Sequence, residues 1–224
     1  VYIDNSKTLA EWEKSLANGG ANGTIGEKTK DFSDTANPFG FRDIQGAHSR
    51  KDDLAAVNPN FSTKSPEWTQ NCQRCVSAYE ARRRGYDVEA LPRILNGTDR
   101  LPYMHDKQNG WTSVYGSPVL ISCSSSTGIK TGEKVKLEMT QFGDGARAIV
   151  RVQWQKKYGG GGHVFIAEQV NGKTIFIDPQ TGNENVEFYF SMAKKTETYL
   201  LRIDTLDFTD NIKKCCHNRG GGAP

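Results

Sequence analysis

The chain has 224 residues, of which 36% are hydrophobic and 25% are charged, and its net charge is +3. This length suffices for one compact domain with an extension or for two small domains, and the apolar and aromatic content excludes a fully disordered chain. The charge is too evenly balanced to favour nucleic-acid binding, and no apolar run is long enough to span a membrane. We therefore expect neither nucleic acid nor a membrane as a partner.

The first 57 residues are predicted to be an N-terminal extension or linker (1–57). A short helical pattern at Leu9, Trp12 and Leu16 is followed by scattered Gly, Asn, Asp and Ser without clear periodicity. The chain begins at Val1 rather than Met and shows no signal-peptide pattern, so we expect it to be a piece of a longer or processed polypeptide.

Residues 58–212 are predicted to form one folded domain, and residues 213–224, which end in glycines, a flexible tail. The first strong element is a helix that begins at Pro66 or Thr69 and ends at Gly85. Its buried stripe is predicted from four apolar positions at helical spacing: Cys72, Cys75, Val76 and Tyr79. The basic cluster Arg82–Arg84 on this helix is interpreted as a solvated face.

The pattern downstream changes from helical to extended. The predicted elements are, in chain order, an extended piece at Tyr86–Ala90, a strand or buried segment at Pro118–Ser122, a short helix within Gly128–Phe142, and strands at Ala146–Trp154, His163–Val170, Lys173–Asp178, Phe188–Phe190 and Tyr199–Ile203. Loops with turn signals occupy residues 91–116.

The dipeptide Asn171-Gly172 between two apolar runs predicts a tight β-hairpin. Counting outward from the turn pairs Val170 with Lys173 and sets His163 opposite Gln180. Asp178 then becomes the diagonal neighbour of His163 on the same face. An imidazole beside a carboxylate is the base and orienting pair of a nucleophilic site, although two surface residues at a strand end would give the same pattern.

The five cysteines do not form the pattern of a disulfide framework, because their number is odd and Cys215 and Cys216 are adjacent. We expect free thiols in a reducing compartment. A zinc site that joins Cys72 and Cys75 to Cys215, Cys216 and His217 is the alternative, but adjacent cysteines suit tetrahedral ligation poorly and no second C-x-x-C exists. We therefore expect no metal or other cofactor.

Cys72 is predicted to be the nucleophile. It lies near the start of a helix, where exposed N–H groups and the macrodipole favour a thiolate. Cys75, one turn further, suits a small buried hydrophobic position better. The backbone N–H of Cys72, with a side-chain donor from Gln70 or Asn71, is the expected oxyanion site.

Three segments together resemble the papain-fold toxins of bacterial polymorphic toxin systems, the toxin glutamine deamidases. They are Asn71-Cys72-Gln73-Arg74-Cys75 leading into the helix, Gly162-His163-Val164-Phe165, and Phe176-Ile177-Asp178-Pro179-Gln180-Thr181-Gly182. The resemblance covers about 58–210.

This resemblance implies an α+β, papain-like fold in which an N-terminal catalytic helix packs on an antiparallel sheet. It implies a triad of Cys72, His163 and Asp178, with Gln180 at a recurrent position of unassigned role. It also implies an effector that is delivered as part of a larger bacterial or phage protein and that deamidates a glutamine of a target protein in the target-cell cytosol. A cognate immunity protein is a further expected partner.

Several alternatives remain open on the sequence alone. The same triad serves a cysteine protease or a transglutaminase, and a non-catalytic papain-like binding module would keep only the fold. The glycines of 159–162 are interpreted either as a mobile loop that gates the site or as a tolerated insertion. Trp68 and Trp154 are assigned either to the cleft wall or to the core.

Overall fold

A computed structural model describes residues 38–96, 110–112, 118–125 and 130–220 of the chain. The predicted helical pattern at Leu9, Trp12 and Leu16 lies outside these residues, as do the last four residues of the chain.

The described residues form a mixture of helices and short and long strands. The helices are α1 (Arg50–Val57), α2 (Pro66–Thr69), α3 (Cys72–Arg83), α4 (Thr131–Phe142) and α5 (Tyr189–Met192), with 3₁₀ turns at Pro59–Thr63, Lys156–Tyr158 and Asp210–Lys214. The strands are β1 (Val88–Ala90), β2 (Trp111–Thr112), β3 (Leu120–Ser122), β4 (Arg147–Trp154), β5 (Gly162–Val170), β6 (Lys173–Ile177), β7 (Ala193–Arg202), β8 (Asp207–Phe208) and β9 (Cys216–Asn218).

Five of these strands form one antiparallel sheet in the order β3-β7-β4-β5-β6. Two further antiparallel pairs, β1 with β9 and β2 with β8, lie outside it. The prediction of an α+β fold with a helix on an antiparallel sheet is confirmed.

The sheet is covered on both faces, because alternate residues of its central strands enter two different cores. Ile149 and Ile166 belong to the core that contains Cys75 and Tyr79 of α3. Their neighbours on the strands enter the core that contains Met139 of α4. The central strands β4 and β5 therefore read as nearly continuous apolar runs rather than as a clean alternation of apolar and polar residues.

The hairpin between β5 and β6 has the predicted register, with Val170 paired to Lys173. Asn171 (φ 50°) and Gly172 (φ 73°) both have positive φ, as a type I′ turn requires. The ladder ends earlier than expected, at the pair Ile166 and Ile177. The predicted pairing of His163 with Gln180 is therefore wrong, since the chain turns after Ile177 instead of continuing as a strand.

Two local predictions are corrected by tertiary packing. Phe188–Phe190 was expected as a strand, but residues 189–192 form the short helix α5. The cluster Arg82–Arg84 was expected to be solvated. Instead, Arg82 is 3% exposed and pairs with Asp53 and Asp87, and Arg84 pairs with Glu80.

Both flanks of the predicted domain contribute to its core. Phe41 and Leu54 from the predicted extension are buried in the same cluster as α3. Cys215 and Cys216 are buried too, and β9 pairs with β1. Residues 213–220 therefore do not agree with the expectation of a flexible tail. No helix within the described ranges is long and apolar enough to cross a membrane.

Candidate active site

Cys72 is the first residue of α3. The sequence predicted one helix from Pro66 or Thr69, but the helical turn α2 ends at Thr69, and Gln70 and Asn71 have non-helical backbone angles. This break places Cys72 directly at a helix N-terminus, where its backbone N–H has no partner within the helix. Its side chain is partly exposed, whereas Cys75 is fully buried, and burial raises the pKa of the Cys75 thiol well above its ordinary value.

His163 and Asp178 lie together despite the early end of the ladder. The imidazole Nε2–H donates to Asp178 Oδ2 at 3.1 Å, in a buried environment. Cys72 lies next to His163, where both line one cavity and Cys72 contributes to raising the pKa of the imidazole. Because Nε2 faces the carboxylate, Nδ1 is the nitrogen left to face the sulfur. The structure thus brings the three residues of the expected triad together, with His163 between Cys72 and Asp178 and hydrogen-bonded to Asp178.

The Asp178 carboxylate is held by three donors. Oδ2 accepts from His163 and from the Tyr189 hydroxyl at 2.8 Å, and Oδ1 accepts from the backbone N–H of Gln180 at 3.0 Å. Burial acts to raise the pKa of Asp178, but the charge of His163 and these hydrogen bonds outweigh it, and the pKa is lowered. Asp178 is therefore ionised at neutral pH.

The imidazole is strongly basic in this setting. Burial alone acts to lower the pKa of His163, but the charge of Asp178, the hydrogen bond to Asp178 and the neighbouring Cys72 raise it to about 10. His163 is consequently an imidazolium at neutral pH, ion-paired to Asp178.

Aromatic side chains fix the plane of the imidazole. Trp154 stacks on His163 with ring centroids 5.5 Å apart and planes at 23°, and Tyr189 meets it edge-on at 5.6 Å. Phe165 belongs to the same aromatic cluster, with its ring centroid 6.2 Å from that of His163. Trp154 is not among the residues that line the cavity; it packs against the core that contains Met139 and supports His163 from that side. Tyr189 was not singled out from the sequence, in which its segment is predicted to be a strand.

A network of buried amides joins the segment before Cys72 to the turn after Asp178. The Asn58 amide donates to the carbonyl of Gln180 at 2.9 Å and to Asn71 Oδ1 at 3.3 Å, and the Asn71 amide donates back to Asn58 Oδ1 at 3.2 Å. The Gln180 amide donates to the carbonyl of Thr69 at 3.0 Å. These contacts fix Cys72 relative to Asp178. Asn58 was not singled out from the sequence.

A cavity of about 330 Å³ opens beside the Cys72 and His163 side chains. Its wall consists of Cys72, Gln73, Arg151, Gln153, Gly162, His163 and Val164. The expected oxyanion and substrate residues Gln70, Asn71 and Gln180 are not among these lining residues. Asn71 and Gln180 use their amides in the buried network, and Gln70 Oε1 accepts from Arg93. Gln73 and Gln153 are the side-chain amides that the cavity wall offers instead.

The glycine-rich segment before His163 forms a tight connection between β4 and β5. Gly159, Gly160 and Gly161 all have positive φ, a backbone conformation that residues other than glycine rarely adopt. The Gly161 carbonyl accepts from the N–H of Trp154, and the Gln155 amide donates to the carbonyls of Ser191 and Ala193. The glycines thus allow β5 to start beside the end of β4, with His163 next to the cavity.

The residues of the alternative zinc site, of which Cys75, Cys215 and Cys216 share one buried cluster, have partners other than a metal ion. Cys215 and Cys216 Sγ donate to the backbone carbonyls of Asn211 and Ile212, and His217 pairs with Glu89. Within the described part of the chain, no group of three or more His, Cys, Asp or Glu residues is arranged to hold a metal ion.

Comparison with known families identifies the family of the chain. The family described as papain fold toxin 1, glutamine deamidase, matches residues 70–183, half of the chain, and this span includes Cys72, His163 and Asp178. Comparisons with curated proteins and with solved structures gave no match. The chain belongs to the papain-fold glutamine deamidase toxin family.

Proposed function

We propose that this member of the papain-fold toxin family deamidates a glutamine side chain of a target protein through Cys72, His163 and Asp178. One observation carries the proposal: a partly exposed cysteine at a helix N-terminus shares the wall of an open cavity with a histidine whose Nε2 donates to a buried carboxylate. Thiol, base and orienting acid in this order suit acyl transfer.

The reaction starts from an ion pair in which His163 carries the proton of the Cys72 thiol, and the thiolate attacks the carboxamide carbon of the glutamine. The oxyanion that forms is held by the backbone N–H of Cys72 and by an amide of the cavity wall, from Gln73 or Gln153. His163 gives its Nδ1 proton to the departing nitrogen, and ammonia leaves a thioester on Cys72.

Hydrolysis completes the cycle. Neutral His163 takes a proton from water, and the hydroxide attacks the thioester. The Cys72 thiolate leaves, and the side chain of the target is now glutamate. The high pKa of His163, about 10, supports the acid role, since an imidazolium is present at neutral pH before attack. Asp178 keeps Nε2 protonated throughout and holds the ring in place.

The biological setting proposed here follows the family. The domain acts as the effector of a larger bacterial or phage protein, in the cytosol of the target cell, and a cognate immunity protein blocks it. The catalytic unit comprises residues 58–212, and the parts of 1–57 and 213–224 that share its core support it.

Mass spectrometry of whole-cell proteins tests the chemistry. Cells express the intact chain, Cys72→Ala or Cys75→Ala. We expect conversions of glutamine to glutamate with the intact chain and with Cys75→Ala, and none with Cys72→Ala. Cys75→Ala is the matched control, because it removes a thiol one helical turn away that is fully buried.

The same spectra separate the other reactions of this triad. New peptide termini that depend on Cys72 identify a protease, and new cross-links to amines identify a transglutaminase. Conversions that persist in Cys72→Ala but vanish in Cys75→Ala contradict the assignment of the nucleophile. Absence of any difference between the intact chain and Cys72→Ala contradicts the proposal as a whole.

A further inference from the structure

Arg151 is the cation of the cavity wall that the proposed mechanism does not use. It lies in the middle of β4, paired with Val164 of β5 and Tyr199 of β7. Its guanidinium stands over the Tyr199 ring at 5.4 Å from the centroid. An aromatic face beneath a guanidinium holds its plane while its N–H donors remain at the edges, available to an anion.

Other arginines near α3 differ from Arg151 in their partners. Arg82 pairs with Asp53, and Arg84 and Arg147 pair with Glu80. Within the described residues, no carboxylate forms an ion pair with Arg151, and its guanidinium contacts the Tyr199 ring. The interior arginines thus stabilise the fold, whereas the charge of Arg151 is available to a ligand that enters the cavity.

The rest of the cavity wall does not offset this charge. The lining residues include no Asp or Glu, and the nearby carboxylate, Asp178, already accepts from His163, Tyr189 and the Gln180 N–H. A cavity with an unpaired cation and no carboxylate favours an anionic occupant. Arg is suited to a carboxylate because two of its N–H groups match the two carboxylate oxygens.

The size of the cavity limits where this anion sits. At about 330 Å³ it is at the small end of ligand sites, enough for one or two side chains. In an extended segment, side chains two residues apart point to the same side and lie about 7 Å apart. A glutamine over Cys72 would thus bring the side chain two residues away to the Arg151 side of the cavity.

We propose that Arg151 is a specificity residue that binds an acidic side chain of the target, two residues along the chain from the glutamine that is deamidated. This inference rests on the proposed function for its biological meaning, but the anion site itself does not. The substrates are glutamines in acidic surface segments, and glutamines flanked by Lys or Arg are rejected by like-charge repulsion.

Alkylation of Cys72 tests the anion site without a substrate. The purified chain is treated with iodoacetate, which is anionic, or with iodoacetamide, its neutral counterpart, and the labelling rate at Cys72 is followed by mass spectrometry. We expect the ratio of the two rates, iodoacetate over iodoacetamide, to fall roughly five- to tenfold in Arg151→Met, as for a solvent-screened charge pair inside one cavity.

Two variants control this experiment. Lys173→Met removes one positive charge at an exposed position at the start of β6, beside the hairpin turn and at the opposite end of β5 from His163. This variant should keep the ratio of the two rates within about twofold of the intact chain, because salt screens distant charges. Arg151→Lys keeps the charge and should keep most of the preference. Equal ratios in the intact chain and Arg151→Met overturn the anion site. So does a Cys72 that neither reagent labels, because the cavity then does not admit such an anion.

The converted glutamines test the substrate class. We expect Asp or Glu two residues from most sites, and a shift towards Lys and Arg at that position in the charge-reversed Arg151→Glu. Conversions without this enrichment overturn the specificity role and leave the deamidase intact. Absence of conversions overturns the deamidase, and the alkylation ratio then still decides whether Arg151 forms an anion site.

Discussion

The carboxylate of Glu80 offers a quantitative test of how α3 is held on the sheet. Glu80 lies two turns after Cys72 and is completely buried, and it accepts from Arg84 Nε at 2.8 Å and from Arg147 Nε at 2.7 Å and Nη2 at 2.9 Å. Arg147 is in β4, the neighbour of the strand that carries His163. This ion cluster therefore ties the helix of the proposed nucleophile to the sheet of the proposed base.

The magnitude follows from proton linkage. Burial acts to raise the pKa of Glu80, but Arg147 and Arg84 lower it to about 2 from an ordinary 4.5. A shift of this size contributes about 3 kcal/mol to the free energy of unfolding at neutral pH. Because the folded-state pKa is depressed, this stability is fully present above pH 4.5 and is lost as the pH falls towards 2.

We predict that Glu80→Gln lowers the free energy of unfolding by about 3 kcal/mol or somewhat more at pH 7, since two buried guanidinium groups then face a neutral amide. Urea unfolding at a series of pH values measures the gap between the two proteins, that is, the difference between their free energies of unfolding. The gap should stay constant down to about pH 4.5 and narrow below it, as the intact protein itself becomes protonated at Glu80.

Glu133→Gln is the matched control, because Glu133 pairs with Lys136 at an exposed site on α4 and should cost less than about 1 kcal/mol. A gap below about 1 kcal/mol for Glu80→Gln at pH 7, or one that does not narrow in acid, refutes the reasoning that this cluster holds α3.

Three further predictions concern the proposed site. Asp178→Asn removes the charge that raises the pKa of His163, so the rate of ammonia release should fall about a hundredfold or more. The alkaline limb of the pH–rate profile should also move to lower pH, and an alkaline limb at the same pH as in the intact protein contradicts this. Tyr189→Phe keeps the ring but loses a bond that lowers the pKa of Asp178, so stability should fall by about 1 kcal/mol and acid unfolding should begin at higher pH; unchanged acid unfolding would show that the bond contributes nothing. Asn58→Ala leaves Asn71 without its buried partner, and should cost about 1–3 kcal/mol in urea unfolding and reduce turnover; full activity would remove Asn58 from the support of Cys72.

The elements predicted best are those whose signal is local. The turn residues Asn171 and Gly172 fix the hairpin and its register, because positive φ at two successive positions admits few residues and few geometries. The strand at Arg147–Trp154 was expected one residue earlier, at Ala146. The apolar stripe of α3 follows from spacing alone, and Cys75 and Tyr79 are buried as that stripe predicts.

The site was predictable only in outline. His163 and Asp178 do meet, but by a turn after Ile177 rather than by the strand pairing from which their proximity was inferred. The break that puts Cys72 at the helix start depends on Asn71, whose amide is bonded to Asn58 and to the carbonyl of Leu91. Periodicity does not record a bond between residues far apart in the chain.

The sequence by itself determined the hairpin and the residues able to do nucleophilic chemistry, since both depend on residue type and short-range spacing, while the class of fold followed from the resemblance to the papain-fold toxins. Tertiary structure alone decided which polar groups are buried together. Arg82 and Glu80 read as surface charges on a helix, yet both are buried because a partner from another element neutralises each of them. The same dependence on distant partners left Arg151 at the cavity with its charge unpaired by the described residues, and no local pattern distinguishes it from the arginines that are paired.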